Sequence, residues 1–135
     1  MIHKSVCILK SLRYPSGLFA AAKKSVGTGY DKSWLRDNIY ESLGLEAAGL
    51  IDEVVATLRA LLDALKKHEY KIDWAIKEKP QHKHQYIHAR VDPLTFDEFH
   101  EDWGNKQNDA VGAILFKIGD LENKGVSVLR DDSDK

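Results

Sequence analysis

Two short stretches of the sequence each combine an indole with planar hydrogen-bonding side chains. Residues 30–40 bring together Trp34, Arg36 and Asp37, directly after a glycine-rich loop and at the expected start of a helix. An indole stacks on the C–H face of a sugar ring, while guanidinium and carboxylate groups bond its hydroxyls in pairs. This stretch therefore suits the binding of a sugar.

Residues 101–110 repeat the design at the expected start of a later helix. Trp103, Gln107 and Asp109 supply an indole, an amide and a carboxylate there. Either stretch alone is better explained as a capped helix with a buried tryptophan and a surface Asp–Arg pair. Because both occur in one short chain, we favour a carbohydrate site, whose candidate binding residues are Trp34, Arg36, Asp37, Trp103, Gln107 and Asp109.

Composition indicates one globular domain over residues 1–135, with 43% hydrophobic and 30% charged residues. A formal net charge of −1 argues against a nucleic-acid partner, which usually requires a basic face. The sequence has no apolar run of about 18 residues, so we expect no membrane span, and we interpret the N-terminus as structure. Cys7 is the only cysteine, which excludes an intrachain disulfide and favours a cytoplasmic location.

Apolar residues at helical spacing predict an all-α fold of four main helices in two hairpins. Asp31 or Ser33 is expected to cap the second helix, and Asn105 the fourth. The predicted helices cover residues 2–13, 33–48, 51–67 with a ragged continuation to 77, and 106–121.

Residues 78–102 are predicted to form an irregular loop. The alternation of Ile87, Ala89 and Val91 with polar residues predicts a short strand within it. The histidines of residues 82–88 could offer imidazoles to a metal, but no cysteine or well-spaced carboxylate completes a set. We therefore interpret this segment as a polar loop and predict no metal and no cofactor. Residues 131–135 are charged and predict a frayed tail.

In order and spacing, these motifs resemble the N-terminal part of glucoamylase-like glycoside hydrolases of family fifteen. The matching stretches are residues 14–21, 30–40 and 103–112. The block at 30–40 also resembles the start of the alpha and beta subunits of phosphorylase kinase, which share that domain. The resemblance implies part of an (α/α)6 barrel, in which the second and fourth helices are inner ones with their N-terminal ends facing a central pocket.

The resemblance also implies roles for individual residues. Arg36 and Asp37 match an arginine–aspartate pair that grips the terminal glucose, and Trp103 matches an indole beside the cleaved bond. Family members cleave with inversion, which uses two carboxyl groups roughly 6.5–9.5 Å apart, and both family glutamates lie beyond the matched stretch. We therefore expect a fragment that binds an α-glucan or maltooligosaccharide and is inactive alone.

Two alternatives stay open at this point. One is a non-catalytic glucan-binding or regulatory module, as the kinase-subunit resemblance suggests. The other is a helical interaction domain whose tryptophan motifs are structural. Two hairpins cut from a closed barrel leave apolar flanks, and apolar residues do spread around the second and fourth helices. The fragment interpretation therefore predicts a homo-oligomer, because soluble monomers rarely expose large apolar patches.

Overall fold

The computed structural model describes residues 2–23, 25, 29–101 and 107–135 and is mostly helical, which confirms the all-α prediction. Within these residues the strands form a single two-stranded antiparallel pair. No helix among them has the length and hydropathy that a bilayer crossing requires. In chain order the elements are α1 (Ile2–Leu12), β1 (Ser33–Trp34), α2 (Leu35–Ala47), α3 (Ile51–Lys67), α4 (Glu69–Lys77), a 3-10 turn (Lys83–Gln85), β2 (Arg90–Val91), α5 (Asn108–Asn123) and a second 3-10 turn (Asp132–Asp134).

Helix α3 buries the apolar stripe that its sequence predicts. Val54, Leu58, Leu61 and Leu65 are buried, and acidic residues in its first turn and lysines in its last complement the helix dipole. The helix ends at Lys67, where the sequence predicted a ragged continuation, and a separate helix α4 follows after His68.

The sequence predicts Tyr70, Trp74 and Ala75 as the inner positions of this segment, which is partly wrong. Tyr70 is 62% exposed and Ala75 is also exposed, whereas Lys71 is buried. Lys71 is buried because its ammonium forms an ion pair with Glu98 in the loop that follows α4. A buried lysine is tolerated where its charge is compensated in this way.

Helix α2 begins at Leu35, two residues later than predicted, and neither Asp31 nor Ser33 caps it. Ser33 and Trp34 instead pair with Val91 and Arg90 as β1 and β2, which confirms the predicted strand around Val91. The backbone of residues 33 and 34 is therefore extended rather than helical. Asn105 and the predicted start of α5 at Lys106 lie outside the described residues.

The sequence predicts an apolar stripe of Ile39, Leu43, Ala47 and Leu50 for the second helix, and the buried face of α2 differs from it. Leu35, Ile39 and Leu45 are buried, whereas Leu43 is 42% exposed and Ala47 is exposed. Helix α5 also differs from its predicted stripe, which included Ile114, Leu115 and Ile118: Ile114 and Ile118 are buried, but Leu115 is exposed. Both helices are apolar on more than one side, so partner helices rather than hydrophobicity alone select the buried face.

Helices α2 and α5 lie side by side and run in the same direction. Arg36 in the first turn of α2 contacts Asp109 in the first turn of α5. At the opposite ends, Glu46 of α2 contacts Lys117 and Lys124. Helix α3 returns antiparallel to α2 after a tight turn in which Gly49 has φ +76°. The start of α2 and the start of α5 consequently share one side of the molecule.

The C-terminal segment, where the sequence predicted fraying, is hydrogen-bonded to α3 in the structure. Arg59 donates to the carbonyl of Val128 at 2.9 Å, and the carboxylate of Asp134 accepts from Lys66 and Arg130. The Asp134 side chain is 1% exposed. Residues 126–135 therefore cover one flank of α3.

Candidate functional site

The start of α2 is held in place by a buried asparagine. Asn38 accepts the backbone N–H of Phe19 at 2.8 Å, and its amide donates to the carbonyl of Trp34 at 2.8 Å. The hydroxyl of Ser33 donates to the carbonyl of Phe19 at 2.8 Å. Residues 18–20 and the first turn of α2 therefore form one hydrogen-bonded unit, in which Asn38 acts as a positioning residue.

The segment before this unit packs directly on α3. Gly17 has φ +100°, and a Cβ there would lie 2.9 Å from the carbonyl oxygen of Ala56. Thr57 donates its hydroxyl to the Gly17 carbonyl at 2.9 Å. Only glycine fits this close approach, so the turn at residues 14–17 fixes the segment that Asn38 holds.

The side chain of Trp34 is covered by the planar groups of Tyr30 and Arg90. Its side chain is 8% exposed, its ring stacks on Tyr30 with centroids 5.6 Å apart, and the guanidinium of Arg90 lies 5.4 Å from the ring centroid. Tyr30 itself is 47% exposed. In the described residues, the aromatic surface that faces solvent at this point is therefore the tyrosine, backed by the indole.

Arg36 of the first candidate stretch contacts Asp109 of the second. The Nη1 of Arg36 lies 2.9 Å from Oδ2 of Asp109, and the side chains are 45% and 58% exposed. The hydrogen bond from the guanidinium to this carboxylate raises the pKa of Arg36 above its usual range. The pair remains open to solvent, with donors and acceptors available beside it.

Asp37 follows Arg36 in α2 and is partly buried. One turn further along the helix lies Glu41, a carboxyl group for which the sequence predicted no role. Burial, and after it the negative charge of Asp37, raises the pKa of Glu41 to about 8. Its Oε2 is buried and makes no hydrogen bond within the described part of the chain. Glu41 therefore keeps its proton to a higher pH than an exposed carboxyl group does. The i, i+4 spacing of two acidic residues was the available signal.

Of the two remaining predicted site residues, the structure describes Gln107 but not Trp103. Gln107 precedes α5 and lines a cleft of about 230 Å³ together with Ile72, Ile87 and Val111. Trp103 lies outside the described residues, so its predicted closeness to Arg36 and Asp37 stays a prediction. Across the residues the structure covers, no three His, Cys, Asp or Glu side chains converge as a metal site would require.

Comparison with known proteins identifies the chain at the level of a family. A family model described as "Glycosyl hydrolases family 15" matches residues 2–135. Neither the curated proteins nor the solved structures gave a match.

Proposed function

Because the chain belongs to glycoside hydrolase family 15 over residues 2–135, we propose that it is part of a glucoamylase-like α-glucan hydrolase and forms part of its glucose-binding wall. The observation that carries this proposal is the Arg36–Asp109 pair, which joins the starts of the parallel helices α2 and α5. The pair supports the proposal because it joins one candidate residue of each stretch.

The chemistry of this place suits a sugar ring. Arg36 supplies a planar donor that Asp109 holds in orientation, and Asp37 supplies an acceptor beside it. Paired donors and acceptors of this kind bind neighbouring hydroxyls. Tyr30, stacked on the buried Trp34, supplies an aromatic surface for the C–H face of the ring. We assign Trp34, Trp103, Gln107 and Asp109 to the same wall.

We assign no general acid or base to this chain. The resemblance places both family glutamates beyond the matched stretch, and its counterparts of Asp37 and Asp109 bind or support the substrate. General acid–base catalysis contributes about 10²–10⁴-fold per positioned group. The 135-residue chain is therefore proposed to bind α-glucans without hydrolysing them, and to do so in the cytoplasm.

Binding is tested by titrating the chain with maltotriose and following tryptophan fluorescence. Asp37→Asn is expected to weaken binding by about tenfold, the cost of one charge-assisted hydrogen bond. Asp73→Asn, an exposed carboxylate of α4, is the matched control and is expected to bind normally. Equal affinity in both variants would contradict the assignment, and release of glucose from maltose by the pure chain would contradict the absence of the acid and base.

A further inference from the structure

Arg90 is the one buried arginine among the five of the chain, all of which lie in the described residues, and it is 4% exposed. An arginine keeps its charge inside a protein, so a buried guanidinium requires compensation. Glu101 forms an ion pair with it, and its Nη1 donates to the carbonyl of Gly29 at 3.4 Å. The sequence predicted no role for Arg90, and the proposed glucan wall does not include it.

The guanidinium of Arg90 contacts two aromatic rings. Its central carbon lies 5.4 Å from the ring centroid of Trp34 and 5.3 Å from that of Phe99. Both distances fall within the range of cation–π contacts, and a planar guanidinium stacks on such rings, whereas an ammonium is a point charge. Trp34 stacks in turn on Tyr30. Arg90 is therefore in direct contact with the indole on which the solvent-facing tyrosine of the glucan wall rests.

The backbone that leads into Tyr30 is also shaped by this guanidinium. Gly29 has φ +80°, and a Cβ there would lie 2.4 Å from Nη1 of Arg90. No side chain fits at that distance, so the glycine leaves the space that the guanidinium occupies. Arg90 thus contacts both the residue that precedes Tyr30 and the ring on which Tyr30 stacks.

The backbone of Arg90 is held from two sides. It lies directly opposite Trp34 in the β1–β2 pair, where side chains of facing residues meet. On the other side, its N–H donates to Nδ1 of His88 at 3.1 Å. The N–H of His88 donates in turn to Glu98, which forms the ion pair with Lys71 of α4. The loop between α4 and α5 therefore fixes the place of the guanidinium.

We propose that Arg90 is a positioning residue of the glucan site, whose guanidinium fixes the stacked rings of Tyr30 and Trp34 in the orientation that meets the C–H face of a glucose ring. The inference rests on the proposed glucan-binding function. A side chain that touches a ligand is only as well placed as the groups that pack against it. Arg90 acts through the two rings, because it is itself buried. An ion pair with Glu101 would need only the charge, whereas the contacts with the rings use the plane of the guanidinium.

The test replaces the plane and keeps the charge. In the full chain, Arg90→Lys is expected to raise the dissociation constant for maltotriose about five- to tenfold, the effect of one cation–π contact. The indole N–H resonance of Trp34, assigned by NMR with Trp34→Phe, is expected to shift in the same variant. Arg59→Lys alters a half-buried arginine of α3. As the matched control, it should change neither quantity.

A second variant retains Arg90. The methyl group of Gly29→Ala displaces the guanidinium, so this variant should also shift the Trp34 resonance, and it carries the test if Arg90→Lys does not fold. The proposal is overturned if the variant lowers the unfolding midpoint but leaves the dissociation constant or the indole resonance unchanged, because Arg90 would then only stabilise the fold.

Failure of the glucan proposal has a different signature. If the unmodified chain does not bind maltotriose, the proposed function is wrong, and the nuclear Overhauser contacts between Tyr30 and Trp34 decide the role of Arg90. Their loss in Arg90→Lys, with Arg59→Lys unaffected, supports the positioning role. Their persistence overturns it.

Discussion

Arg36 and Asp109, 73 residues apart in the chain, join the first turns of α2 and α5 through a 2.9 Å ion pair. Both side chains are largely exposed, and exposed pairs contribute little to stability, about 0–1 kcal/mol. We therefore expect Arg36→Lys and Asp109→Asn each to change the free energy of unfolding by less than about 1 kcal/mol but to weaken maltotriose binding by about tenfold. Urea denaturation and fluorescence titration measure the two effects. A loss of more than 2 kcal/mol would show that the pair is structural.

The raised pKa of Glu41 predicts a pH dependence of stability. Because the folded state holds this proton up to about pH 8 while the unfolded carboxyl loses it near pH 4.5, the stabilisation is complete below pH 4.5 and is lost as pH rises to about 8. Glu41→Gln keeps the shape without the charge and should be more stable than the native chain at pH 8, by about 1–3 kcal/mol. Denaturation curves of both proteins between pH 4.5 and 8 should converge at the acid end. Parallel curves would show that Glu41 ionises normally in the fold.

A buried lysine joins α2 and α5 near their C-terminal ends. The Lys117 ammonium lies 2.5 Å from Glu46 and 2.7 Å from Asp120, and the residue is 4% exposed. Lys117→Ala should destabilise the fold by about 3 kcal/mol, since it leaves a partly buried carboxylate without its closest cation. Lys124→Ala removes an exposed cation from the same two carboxylates and should cost less than about 1 kcal/mol. Thermal or urea unfolding of the two variants checks the difference, and equal losses would contradict it.

Asn38 is fully buried and bonds both Phe19 and Trp34. Asn38→Ala leaves the amide of Phe19 without an acceptor, and we expect a loss of about 2–3 kcal/mol. Asn123→Ala, at the exposed end of α5, serves as the control, and its stability should be unaffected. Because Asn38 positions the first turn of α2, its variant should also bind maltotriose less tightly. An unchanged unfolding midpoint would refute the positioning role.

Phe116 tests the predicted self-association. It is 76% exposed on α5, where Leu115 is exposed as well, and on α2 the side chains of Tyr40 and Leu43 are also exposed. We expect Phe116→Glu to convert an oligomer into a monomer with unchanged helix content, measured by light scattering and circular dichroism. Ile76→Glu alters an equally exposed apolar side chain on α4 and should leave the assembly intact. A monodisperse monomer of the unmodified chain at micromolar concentration would defeat the prediction.

The sequence predicted features that depend on local pattern and missed those that depend on distant partners. The stripe of α3 and the strand at Val91 followed from periodicity. The burial of Lys71 did not follow from periodicity, because its ion-pair partner Glu98 lies far along the chain. The late start of α2 did not follow either, because it depends on the pairing of Trp34 with the distant Arg90. In the candidate site, the closeness of the two helix starts followed from the family resemblance, which makes both helices inner ones with their N-terminal ends at one pocket. The burial of Trp34 beneath Tyr30 and Arg90 arises only when the strands pair.

The β1–β2 pairing has a consequence for the order in which the chain folds. Helices α2 and α3 are neighbours along the chain and can pack after one short turn closes. Strand β2 and helix α5 lie far along the chain from β1 and α2, with which they pair and pack, and contacts over long sequence separations form slowly. The amide of Leu35 donates to the carbonyl of Ala89 at 3.0 Å, so its protection from hydrogen exchange reports this late docking. The candidate glucan site is therefore assembled last, and local opening that releases β2 would dismantle it while the α2–α3 hairpin persists.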